Sequence, residues 1–337
     1  MSLLFLGAIN EGNVPRGGEE FKNQMLYHKL KQEAFKVEFI DTHFWSKKPM
    51  IWFNILLNVF VKRYDSIIIS ASSVSTYRLL KIIRFFRPSI LNKITYLVVG
   101  GYFPQGIKEK KFDWRVYLHL KNIVVQGNLL KNTLLGHSNL SNVKVLPNFK
   151  SFIKFKAQLL NKDNIFRFVY VGRISKSKGI GEILEAITLL KAKHSNFYVT
   201  FYGPVEDTFK LESSNARYGG IFDIQSNSNE VYAKLSTYNV MLFPTYWKGE
   251  GFPGVIIDAF IAGLPVIATD WNMNKEIIEE GINGFLIEPK STEALVQKML
   301  WVMENKSNLK VISENNQRRA NDYHIDNVLP KLLDLVL

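Results

Sequence analysis

The sequence contains no cysteine, which excludes disulfides, thiol nucleophiles and zinc held by thiolates. It has no run of about 18 apolar residues, the length at which a helix begins to cross a bilayer. No two acidic residues are separated by a single position, so an acid-x-acid pair for a metal-bound nucleotide is missing. The six histidines are scattered, without H-E-x-x-H spacing. No G-x-G-x-x-G follows the first apolar run, which removes the nicotinamide fingerprint. Lys178-Gly179 stands in the reverse order of a phosphate loop's Gly-Lys-Ser/Thr, which argues against nucleoside triphosphate hydrolysis. The expectation is a metal-independent site without a bound cofactor. The opening MSLLFLGAINEG has no basic flank and an acid at Glu11, so it reads as a first strand in preference to a signal peptide.

What is present is enough apolar material for two cores: 337 residues, 47% hydrophobic, with a mean hydropathy of -0.03. Length favours about two domains. The net charge of +13 is unevenly spread. Residues 1–150 carry 22 Lys and Arg against 9 Asp and Glu, whereas residues 151–337 carry 21 of each. One half is therefore expected to face an anionic partner, a membrane surface or nucleic acid. No recognisable nucleic-acid motif accompanies the charge, which favours the membrane.

Short β-rich runs at 3–9, 37–40, 66–70, 94–99, 123–126 and 143–146 alternate with helical stretches such as 20–33 and 76–87. This is the grammar of a parallel sheet with crossover helices. The strand pattern stops at 147–164 and resumes with strands at 167–172, 198–202, 219–221, 240–243, 265–269 and 284–287. Helices are expected at 255–262 and 272–280, and the tail 315–337 is helical in pattern. On the helix at 76–87, Arg78, Lys81, Arg84 and Arg87 fall on one side and Leu79, Ile82, Ile83 and Phe86 on the other. The run IWFNILLNVFV at 51–61, flanked by Lys47, Lys48, Lys62 and Arg63, is too short to span a bilayer and suits a core or an interface.

Several residues stand where ligands bind in such sheets, beyond the carboxyl ends of strands. Glu250 lies in a glycine-rich loop after one strand, and Asp258 follows eight residues later on an apolar helix. An acid in that setting needs a partner, whether a neighbouring backbone group or a ligand. Arg173 and Lys178 lie between a strand and a helix, where two cations can hold a diphosphate. Lys176 reads as a solvated loop charge. Gly17 and Gly18 precede a helix whose free amides suit a phosphate or a polar sugar, or simply form a flexible turn.

The passage GEGFPGVIIDAFIAGLPVIATD resembles the signature of retaining GT-B glycosyltransferases of family 4, the glycosyl transferases group 1. In that family a Glu in an EGFP-type loop is followed by a second acid after seven residues. FVYVGRISKSKGI, residues 168–180, is similar to the family's strand, Gly-Arg and Lys-Gly. The likeness is close in the C-terminal half and only outlined in the N-terminal half. The family usually has Glu where this chain has Asp258.

The resemblance implies an α/β, GT-B fold with two Rossmann-like domains whose parallel sheets face a cleft. It implies an acceptor-side domain at 1–155, a nucleotide-sugar-binding domain at 156–315, and a helix at 316–337 crossing back to the first. It further implies transfer of a sugar from a nucleotide-diphosphate sugar, here a UDP-sugar, to a saccharide or lipid-linked acceptor, with retention. The donor would be held by Gly17, Gly18, Gly172, Arg173, Lys178, Glu250, Gly251, Phe252, Pro253, Gly254 and Asp258. Arg173, Lys178 and Glu250 would act in catalysis, and no metal is expected. Glu276 matches an acid often found in the family, although a helix N-terminus explains it equally well. A cytoplasmic enzyme, peripheral on the inner membrane face, fits this picture. Two rival readings are a degenerate GT-B protein that only binds or stabilises a partner, and a sugar-nucleotide epimerase.

Overall fold

The computed structural model describes residues 1–10, 17–33, 35–45, 47–153, 164–222 and 229–337. Within them the chain divides into two compact units, Met1–Lys150 with Ile325–Leu337, and Ser151–His324.

The first unit is a six-stranded parallel sheet in the order β2-β1-β3-β4-β5-β6. Its strands are β1 (Ser2–Gly7), β2 (Lys36–Asp41), β3 (Ser66–Ser70), β4 (Ile94–Leu97), β5 (Asn122–Val125) and β6 (Val143–Val145). Helices α1 (Gly18–Gln32), α2 (Pro49–Val61), α3 (Ser73–Phe86), α4 (Tyr102–Lys108) and α5 (Asn128–Leu135) make the crossovers. Parallel pairing forces such connections, because a parallel neighbour cannot be reached by a tight turn. The strand-order reversal lies at β1 and β3, where Asn23 on α1 joins the strand ends by donating to Ala8 O and Ser70 O at 3.1 and 2.9 Å.

The second unit repeats the plan in the order β12-β11-β10-β7-β8-β9. Its strands are β7 (Phe166–Val171), β8 (Phe197–Tyr202), β9 (Ala216–Tyr218), β10 (Val240–Phe243), β11 (Val266–Thr269) and β12 (Gly284–Ile287). Its helices are α6 (Ile180–Lys191), α7 (Asn229–Leu235), α8 (Gly254–Ile261), α9 (Asn274–Ile277), α10 (Thr292–Glu304) and α11 (Lys306–Ala320). Read from β9, this is the doubly wound dinucleotide-fold order, with its switch point between β7 and β10. Phe166, Phe168, Phe197 and Phe201 from the sheet pack with Ile183, Ile187, Leu295 and Met299 from α6 and α10.

Several expectations need correction. The edge strand is Ala216–Tyr218, not 219–221, because Gly220 turns into a left-handed conformation at φ 86°. The helix expected at 272–280 is one turn, Asn274–Ile277, after which Ile278 is extended and Asn283 donates to Ile277 O. Phe86 does not join the buried side of α3 but is exposed. Arg87 does not point with the other cations: it lies beyond α3 and donates to Val59 O and Lys62 O at the end of α2.

The tail is two helices, not one. α11 packs on α8 in the second unit, a 3-10 turn follows at Asn321–Tyr323, and α12 (Ile325–Val336) belongs to the first. The return therefore falls at Ile325 and not at 316, since Asn316 is buried in the second unit and donates to Leu264 O. Ile325, Val328, Leu329 and Leu332 enter the core formed by Leu3, Phe5, Leu26, Ile68 and Val124. The last carbonyls of α12, which no helical amide can satisfy, accept from Ser66, Thr95 and Asn122. Leu332→Ala should destabilise the first unit by about 2–5 kcal/mol, measured by denaturant unfolding, while the second unit's transition stays in place.

Candidate active site

The switch point of the second unit brings together loops that are far apart in sequence. After β7 the chain passes through Gly172 and Arg173 to a 3-10 turn, Lys176–Lys178, and then into α6. Gly203 lies so close to this loop that a side-chain carbon there would stand 1.9 Å from Gly172 O. Gly179, at φ 79°, abuts Pro244 O at the end of β10 in the same way. These contacts hold the β7 and β10 loops edge to edge, with Tyr246 N donating to Ser177 O at 2.9 Å.

At that edge Lys178 Nζ donates to Glu250 Oε2. Both residues are 8% exposed, so the pair is largely withdrawn from water. Thr245 Oγ1 donates to the same oxygen at 3.1 Å, and Asn272 Nδ2 donates to Glu250 O at 3.1 Å. Glu250 Oε1 has no hydrogen-bond partner among the described residues. The Trp247 ring carries both cations, Lys178 Nζ 4.6 Å and Arg173 Cζ 4.9 Å from its centroid, an arrangement attractive to cations because of the ring quadrupole. Arg173 pairs with Glu206 at 3.2 Å, both about half exposed. Such a pair contributes little and exchanges readily for another anion.

Gly251, Phe252 and Pro253 are buried and lead into α8, which begins at Gly254. Phe252 packs edge-on against Tyr323 at 5.4 Å. Asp258, 1% exposed on α8, accepts a long 3.5 Å hydrogen bond from Tyr232 on α7. Burial, then the Asp258 charge, push the Tyr232 hydroxyl far above its ordinary range. Glu276 sits half-buried in α9 and Lys176 is exposed. Trp247, Thr245, Glu206 and Tyr232 went unnoticed in the sequence. Trp247 alone left a signal, a large ring just ahead of the glycine-rich loop at 249–254.

Gly17 and Gly18 lie in the first unit. Gly17 caps α1 in extended conformation, its carbonyl accepting from Phe21 N at 3.1 Å. Both glycines are exposed, and a side-chain carbon at either would meet nothing within 4 Å. Residues 11–16 of that loop lie outside the described residues. On the first turns of α1, burial raises the Glu19 carboxyl to about 7, an effect opposed by the Lys22 charge. Burial likewise lowers the Lys22 ammonium to about 8, opposed by Glu19.

Two Rossmann-like units, with a cation pair and a buried carboxylate at the switch point of the second, define a two-domain α/β protein whose candidate site lies where open parallel sheets bind their ligands. The chain belongs to the glycosyl transferases group 1, whose family model matches residues 151–319. The capsular polysaccharide biosynthesis glycosyltransferase CapM of Staphylococcus aureus is 30% identical over 216 residues, 60% of this chain and 54% of that protein. The UDP-Gal:alpha-D-GlcNAc-diphosphoundecaprenol alpha-1,3-galactosyltransferase of Escherichia coli is 28% identical over 211 residues, 58% of this chain and 54% of its own. The chain thus spans about half the length of these relatives. Among solved structures, Anabaena Alr3699/HepE in complex with UDP superposes with a TM-score of 0.71, at 15% identity, over 99% of each chain. The fold is GT-B.

Lys22 gives a test of this geometry that needs no substrate. An amine whose folded-state value lies below its unfolded 10.5 costs stability wherever the folded protein must protonate it. The cost is full below about 8 and disappears as pH rises through 10.5. Lys22→Met should therefore raise the melting temperature of the first unit at pH 7, and the gain should fade towards pH 10.5, as read by calorimetry at both values.

Proposed function

We propose that this protein is a retaining, metal-independent hexosyltransferase. It moves a sugar from a UDP-sugar to a saccharide or lipid-linked saccharide acceptor in cell-surface polysaccharide or glycolipid synthesis. The observation that carries the reading is Glu250, whose Oε2 is anchored by Lys178 and Thr245 while Oε1 is left for a ligand, beside two cations on one indole ring. An ammonium has three donors, so Lys178 can keep Glu250 and still offer two to a phosphate. Arg173 exchanges Glu206 for the other phosphate oxygens. The departing diphosphate then meets positive charge already in place, which is what lowers the barrier to breaking the sugar–phosphate bond. Glu250 and the segment Gly251 to Gly254 hold the transferred sugar.

Asp258 takes the ribose hydroxyls, directly or through one water, with the Tyr232 hydroxyl fixing its Oδ1. Gly17 and Gly18 contribute backbone amides. The UDP bound by HepE, and the UDP-Gal donor and diphosphoundecaprenol-linked acceptor for which the Escherichia coli relative is named, support the donor and acceptor classes. The basic first half supports work at an anionic inner membrane face, where each cation adds on the order of 1 kcal/mol.

Two measurements test this reading. Arg173→Ala or Lys178→Ala should each reduce donor turnover about a hundredfold or more, assayed with a panel of nucleotide sugars, and the wild-type rate should survive a chelator. Full dependence on added magnesium or manganese sinks the clamp. By calorimetry Asp258→Asn should weaken UDP binding, and an unchanged affinity makes the residue structural.

A further inference from the structure

α2 is an amphipathic helix with the wrong side outside. Its 13 residues, PMIWFNILLNVFV, contain no charge. Ile55, Asn58 and Val59 face inward, where the Asn58 side chain meets the Tyr64 hydroxyl at 2.9 Å. The opposite face, at helical spacing, carries Met50, Phe53, Leu57 and Val61, exposed by 75, 64, 45 and 69%. The end of α3 extends this surface: Phe85 and Phe86 are 79 and 70% exposed, and Phe86 meets Phe60 of α2 edge-on at 6.4 Å. Arg87 locks the two helix ends together by donating to α2 carbonyls. Six large apolar side chains thus form one continuous exposed face, which a soluble surface seldom tolerates without a partner.

The rim decides which partner. Lys47 and Lys48 stand at one end of α2 and Arg63 at the other, while Arg78, Lys81 and Arg84 are exposed along α3. Two carboxylates lie beside this face, and both are engaged: Glu38 by Lys62 and Tyr64, and Asp41, which lines a recess under Met50, by the amides of Ile9 and His43. A second copy docking on the same face would bring these cations against their own equivalents. An anionic surface that accepts rings and aliphatic chains satisfies both parts. At 1.5 Å per residue the helix is roughly 20 Å long, too short to cross a bilayer, and among the described residues no helix crosses one.

We propose that the α2 face with Phe85 and Phe86 inserts into the interfacial layer of an anionic membrane, α2 lying in its plane. The basic rim attracts, and the apolar face holds. A recess of about 430 Å³ between α2 and the end of β2, walled by Phe39, Ile40, Met50 and Phe53, opens on this face and gives it depth. The proposal deepens the membrane part of the proposed function and rests on it, but substitutes insertion for attraction by charge alone.

The experiment is co-sedimentation of the whole protein with vesicles of equal phosphatidylcholine and phosphatidylglycerol, at low and at high salt. Wild type should bind at low salt and be partly retained at high salt. The triple variant Phe53→Glu, Phe85→Glu, Phe86→Glu should lose binding more than tenfold at both, with its melting curve and UDP affinity unchanged. The variant Arg78→Gln, Lys81→Gln, Arg84→Gln should weaken binding at low salt alone. If the phenylalanine variant sediments like wild type while the arginine variant does not, insertion is overturned and charge attraction stands. If wild type ignores these vesicles altogether, the membrane reading itself falls. If wild type is a dimer in sedimentation velocity and the phenylalanine variant a monomer, the face belongs to a second copy and the proposal is wrong.

Discussion

A lysine ammonium and a glutamate carboxylate, both out of water, meet at the carboxyl ends of β7 and β10. Either charge alone in that place would cost several kcal/mol, so the pair tolerates no drift of the loops that carry it. Much of the surrounding structure serves this constraint. The strand order makes β7 and β10 neighbours across a long stretch of sequence, Gly179 lets one loop touch Pro244, and Thr269 ties the base of the other through Thr245 O. The ring of Trp247 then closes over the ammonium. Rigidity here comes from many short polar contacts to backbone, which leaves one carboxylate oxygen as the unspent acceptor.

Several strands were readable because parallel strands buried on both faces are continuous apolar runs. Val240–Phe243, Ser66–Ser70 and Gly284–Ile287 begin and end where the pattern does. Where side-chain bonds to backbone carbonyls shape the chain, apolar pattern misled. Asn274 and Asn283 anchor the segment after β11 through Thr269 O and Ile277 O, cutting an apparent nine-residue helix to a single turn. Phe86 matched a buried stripe on a helical wheel, yet the helix ends there and the stripe has no sheet left beneath it. The fold class and the positions of Arg173, Lys178 and Glu250 were legible. Tyr232, which reaches Asp258 from another helix, was not, since nothing local to either residue announces the other.

The two units differ in charge. The second is nearly balanced, and its Lys178 and Arg173 are matched by Glu250 and Glu206. The first concentrates the chain's excess positive charge beside an apolar face that its own core leaves uncovered.

The hydrogen bond from Ile325 N to Lys150 O joins residues that flank the whole second unit in sequence. The second unit is thus an insertion in the first, and this fixes an order of events during synthesis. On the ribosome the second unit emerges as one uninterrupted stretch and can close its core at once. The first unit emerges earlier but waits with an open groove where Val328, Leu329 and Leu332 belong. Its apolar floor stays accessible to chaperones or to other nascent chains until α12 has emerged. Of the two units, the one begun earlier is therefore the one completed later.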